Sequence, residues 1–198
     1  MEENIFAAYS DESGCFNKRY QAIGVVSGNK NILSALSSKL RDVLIVKKVK
    51  EVKFSKIKTN RRMIEAAQAF IEECIKFAKQ NNIRIDVLVW DMQDYRHSVQ
   101  RRDNVANLEF MYYKVLRHIS EKWRQIDWEF YPDEKSEINW QIIINFLNIT
   151  KMPRLRPNIL TLFEQERYQI NFAKVMQIQS HRAGNSNSRS ICRNGLFR

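Results

Sequence analysis

Glycine, proline, histidine and cysteine are all scarce in this 198-residue chain, at five, three, three and three. The cysteines, Cys15, Cys74 and Cys192, are odd in number and far apart, which excludes a disulfide framework and a cysteine-spaced zinc site. With so little glycine there is no Gly-rich phosphate loop and no Gly-x-Ser-x-Gly nucleophile turn. No apolar run approaches the roughly 18 residues of a helical membrane span. The first residues hold two glutamates and no basic n-region, so no signal peptide is expected and a cytoplasmic placement follows. Acids are also in deficit, 22 against 33 Lys and Arg, which leaves a net charge of +11 and makes nucleic acid an expected partner.

The pattern of what remains is that of one α/β domain over residues 1–181, followed by an irregular basic tail at 182–198. Residues 5–10 and 20–27 read as a hairpin of two strands. Apolar residues at helical spacing predict helices over 31–46, from about 61 to 80, over 104–124 and over 138–147. Met63, Ala67, Phe70, Ile71, Cys74 and Ala78 form the expected apolar face of the second. Ile83 to Trp90 is β-branched and almost wholly apolar, so it is expected as a central strand. Asp127 to Tyr131 and residues 168–179 alternate as two further strands.

Acids stand where several of these strands end: Asp11 and Glu12, Asp91 and Asp94, Asp133 and Glu134. Glu51 and Lys53 share one face of a short extended piece. Mg²⁺ and Mn²⁺ take hard oxygen donors. Carboxylates gathered from separate strands are what a site for phosphodiester hydrolysis by two such ions requires. A single acid in such a place is more often a turn residue or a cap. For Asp91 the two readings are equally weighted.

As a set, Asp-Glu-Ser-Gly at 11–14, Glu-Val-Lys-Phe-Ser-Lys at 51–56, Leu-Val-Trp-Asp at 88–91 and Tyr-Pro-Asp-Glu at 131–134 resemble the domain-of-unknown-function family 3800. The resemblance spans about 5–180. It implies a ribonuclease H-like mixed β-sheet flanked by helices, a bacterial or mobile-element setting, and a metal-dependent nuclease activity inferred from the fold. It casts Asp11, Glu51 and Asp133 as catalytic metal ligands for Mg²⁺ or Mn²⁺, with Lys53 touching phosphate. Glu12 and Ser13 are cast as shaping the turn.

The family usually closes with a helix bearing Gln-Leu-Ala-Asp-Leu-x-x-Gly, whose Asp is the last ligand. Here residues 182–198 hold four Arg, no acid and no periodicity. Codons permitted for His181 to Arg198 can be chosen so that a one-nucleotide shift encodes Ile-Gln-Ile-Ala-Asp-Leu-Phe-Ala-Gly. The tail is therefore read as out of frame, the two-metal site as incomplete, and the activity as impaired.

The segment 47–62 carries eight Lys and Arg against the single acid Glu51. Lys53, Lys56, Lys58, Arg61 and Arg62 are its candidates for nucleic-acid phosphate, with Arg101 and Arg102 beside them. Tyr112, Tyr113 and the four tryptophans are read as core, His118 as structural, and His97 as a lone histidine without a located partner. The alternative to a nuclease is a non-catalytic module that binds nucleic acid or protein.

Overall fold

The computed structural model describes residues 5–14, 18–53, 57, 60–96, 103–123, 127–133, 138–149 and 171–175. Among these residues, five strands form one mixed sheet: β1 (Phe6–Ser13), β2 (Tyr20–Asn29), β3 (Ile83–Asp91), β4 (Asp127–Pro132) and β5 (Asn171–Val175). Their order across the sheet is β3-β2-β1-β4-β5. β2 runs antiparallel to both β1 and β3, while β4 lies parallel to β1 and β5 parallel to β4. Among the described residues, the helices α1 (Lys30–Lys47), α2 (Arg61–Lys79), α3 (Asn104–Trp123) and α4 (Trp140–Ile149) flank it. The fold is the expected α/β type, a ribonuclease H-like mixed sheet between helices.

Local chemistry sets the helix limits. Asn29 and Asn60 cap α1 and α2, their side-chain oxygens accepting from the N–H groups of Asn31 and Met63. Asp103 does the same for α3, accepting from Ala106 at 2.7 Å. α1 ends where Lys48 turns left-handed at φ 53°, and Val49 N–H then closes on Leu44 O at 3.0 Å.

The period-2 alternation of β1 divides the core in two. Phe6 and Ala8 face α3 and α4, packed with Ile23, Val25, Tyr112, Trp128 and Phe130. Ala7 and Tyr9 face α1 and α2, with Val26, Leu33, Leu36 and Phe70. Trp90, Trp128 and Trp140 are buried as core, as expected.

Three expectations are corrected. β1 runs on to Ser13, so Asp11 and Glu12 sit within the strand rather than in the turn. Among the described strands β3 lies at the edge, not the centre, because an apolar run does not say on how many sides a strand is paired. Ile71 is 57% exposed on α2, one step around the helix from the buried Phe70. Residues 51–53 form no strand. Residues 54–56, the outer parts of the predicted 168–179 strand and the whole tail lie outside the described residues. Among the described residues, no helix is long and apolar enough to cross a membrane.

Candidate metal centre

The parallel pairing of β1 with β4 builds the site. Their register sets Tyr9 beside Tyr131 and Ser10 beside Pro132. One step further along lie Asp11 and Asp133. The Asp133 N–H donates to Ser10 O at 3.1 Å, carrying the ladder past the end of β4. The two tyrosine rings stack at 4.7 Å and 10°, on the face that alternation also gives to the two aspartates. Glu12 falls on the opposite face with Ser10, toward α3, but lies close enough to the strand end to reach the same place. Carboxylate oxygens of Asp11, Glu12 and Asp133 all lie within 4.8 Å of one another.

Burial gives this cluster its electrostatic character. Asp11 is 2% exposed and Glu12 8%. Burying like charges together costs free energy unless protons, donors or a cation offset it. Donors are present. Asp11 Oδ1 accepts from the Glu12 N–H at 2.8 Å. The Tyr112 hydroxyl, from the middle of α3, donates to Glu12 Oε1. Ser10 Oγ donates in turn to the Tyr112 oxygen at 3.4 Å. Burial first, then the Glu12 charge, pushes the Tyr112 phenol well above its ordinary range. It therefore stays protonated, as a donor to Glu12, around neutral pH.

Gly14 closes the strand at φ 79°, in the left-handed region. A Cβ there would stand 2.4 Å from Tyr20 O. Only glycine lets the hairpin return this close beside the acids.

The remaining predicted site residues are placed elsewhere. Glu51 is not one of the three clustered acids, and its carboxylate lies 2.7 Å from Lys53 Nζ. Asp91 is a turn acid, accepting from Gln93 N–H and gripped by Arg19 at 2.8 Å. The Arg19 guanidinium holds its carboxyl below the usual range. Asp94 pairs with Arg96, and Arg61 with Glu65 at 3.2 Å. Arg62 is exposed at the start of α2. Glu134, His97, Lys56, Lys58, Arg101 and Arg102 lie outside the described residues.

Sequence reasoning missed two members of the constellation. Glu12 was cast as a turn residue and Tyr112 as plain core. A signal for Glu12 was present, since Tyr9-Ser-Asp-Glu12 and Tyr131-Pro-Asp-Glu134 repeat the pattern Tyr-x-Asp-Glu at the ends of the two strands that pair in parallel. Helical spacing held no comparable signal for Tyr112.

The donor set is all oxygen and anionic, which suits a hard divalent cation rather than a soft one. The site can hold a metal ion, and its chemistry fits that use.

No family model matches the chain, and no solved structure matches it. It is similar to two proteins of Methanothermobacter thermautotrophicus, the uncharacterized proteins ORF2' and ORF2. The first is 34% identical over 154 residues, covering 73% of this chain and 54% of that protein. The second is 33% identical over 155 residues, covering 74% and 54%. The chain thus spans about half the length of these relatives.

Proposed function

We propose that this chain is a nuclease-like protein of the family-3800 kind, which uses Mg²⁺ or Mn²⁺ to act on nucleic-acid phosphodiesters. The observation that carries this reading is the convergence of Asp11 and Asp133, 122 positions apart in the sequence, on the same strand ends as Glu12. Asp11, Glu12 and Asp133 would hold the cation, with Glu12 in the role the motifs gave to Glu51. A bound cation would supply an acidified water and offset charge on the phosphate. The protein's own part is positional. Tyr112 fixes Glu12 from α3, the β1–β4 ladder fixes Asp11 against Asp133, and Gly14 keeps the turn tight.

The basic excess supports a polyanionic substrate, because the three acids alone would repel one. Lys53 and Arg61 are held by Glu51 and Glu65 in pairs open to solvent. Pairs this open to solvent hold their partners weakly, so a phosphate can compete for either cation. The resemblance expects one more acid, from the closing helix. Activity is therefore expected to be weak if that last ligand was lost with the reading frame near codon 181. Sequencing the gene across that codon tests the frame. An alternate frame without an Ala-Asp-Leu helix rejects that part.

The functional test is cleavage of end-labelled single- and double-stranded DNA and of RNA, with Mg²⁺, Mn²⁺ or a chelator. Cation-dependent cleavage that disappears in Asp11→Asn and Asp133→Asn is expected. Cleavage that survives Asp11→Asn sinks the assignment. Cation-dependent binding without cleavage points instead to a non-catalytic nucleic-acid-binding module.

A further inference from the structure

The nuclease reading leaves one surface of the sheet unused. β3 is the edge strand, and among the described residues nothing pairs with its outer side. On the face shared with α1 and α2 it shows Ile85, Val87 and Val89, which are 41%, 59% and 58% exposed. Beside it on that face, α2 buries Met63, Phe70 and Cys74 against Ile83. It leaves Ile64, Ile71 and Ile75 exposed at 36%, 57% and 44%. A long β-branched edge of this kind is a template for another strand unless charge, proline or a bulge blunts it.

We propose that this edge is a dimer interface, in which β3 pairs antiparallel with β3 of a second copy and extends the sheet across a two-fold axis. Val87 is the middle residue of Ile83–Asp91, so an axis through Val87 uses the whole strand. That register sets Val87 against its own counterpart and Ile85 against Val89 of the second copy, so the exposed row is complementary to itself. The axis also brings the exposed isoleucines of the two α2 helices onto the same face, where they help cover the row.

Charge favours a copy of this chain as the occupant. Most surfaces of a +11 protein repel their own kind. At this edge the charges already cancel within the chain, Arg84 with Asp86 at 2.8 Å and Arg19 with Asp91 at 2.8 Å. In the Val87-centred register Asp86 faces Leu88 of the second copy, not another acid. A polyanion finds no net positive charge here to hold it.

Sedimentation equilibrium tests the proposal. The wild-type chain is expected at twice its 23.6 kDa mass at micromolar concentration. V87K, which places each new charge against its own copy at the axis, is expected to sediment as a monomer that keeps the wild-type circular dichroism spectrum, with a thermal midpoint that no longer rises with protein concentration. I45K, at a site of α1 that is 74% exposed, is expected to stay dimeric. A monomeric wild type overturns the proposal, including one that takes up a strand or helix of some other protein at this edge. A dimer indifferent to V87K overturns it, as does a dimer lost equally in V87K and I45K.

Discussion

Single side chains decide the chemistry of the centre. Tyr112 is fully buried, and its hydroxyl serves Glu12. Tyr112→Phe keeps the ring packing and removes one donor from a buried carboxylate, at a cost of about 1–3 kcal/mol. A fall in the urea midpoint with little change in slope checks this. Alkaline pH probes the same hydroxyl. The folded protein holds the Tyr112 and Tyr131 protons above the ordinary value near 10, and burial raises the Cys74 thiol from 9.0 to about 11. In the unfolded chain these groups deprotonate first, so the folded state binds more protons and stability falls as pH rises. The loss is expected to begin near pH 9 with Cys74 and to steepen above 10 with the tyrosines. A series of denaturant midpoints from pH 7 to 11 measures it, and Tyr112→Phe is expected to flatten the steeper part.

At the scale of elements, the acids work because two strands end together. Trp128 and Phe130 seat β4 on the α3 side, which turns Tyr131 and the residue two beyond it toward Asp11. Moving β4 by one residue would turn Asp133 to the other face. The helices are set by short polar signals at their ends, and these are testable apart from the centre. Asn60→Ala removes the bond to Met63 N–H and is expected to cost about 1 kcal/mol. Because α2 packs with α1 and β3 and contributes no clustered acid, thermal stability is expected to drop with cation affinity unchanged.

For the whole molecule, the carboxylate cluster links folding to cation binding. Folding brings the Asp133 carboxylate within 4.8 Å of those of Asp11 and Glu12, whereas in the unfolded chain it lies far from both. A cation that binds only the folded form adds about 2.7 kcal/mol at a concentration 100 times its dissociation constant. Mn²⁺ or Mg²⁺ is therefore expected to raise the melting temperature, and a chelator to reverse the rise. Asp133→Asn removes a ligand and one of three like charges. It is expected to abolish the cation response without lowering the melting temperature of the cation-free protein. Scanning calorimetry with and without cation separates the two effects.

Much of this was legible in the residues. Apolar spacing located the helices at 30–47, 61–79, 104–123 and 140–149 to within about two positions, since a helix that packs on a sheet must repeat its buried face every 3.6 residues. Alternation found the hairpin and β4 for the same reason, at a period of two. Asp11 and Asp133 were readable as acids at strand ends. Their partner was not, because the chain order of Glu12 and Glu51 says nothing of which carboxylate reaches a neighbouring strand. That depended on the register of β1 with β4 and on α3 bringing Tyr112 up beneath Glu12. The edge position of β3 was equally hidden, since an apolar strand reads alike whether it is paired on both sides or only one. Local periodicity is written into the order of the residues, whereas adjacency between distant segments exists only once the sheet has closed.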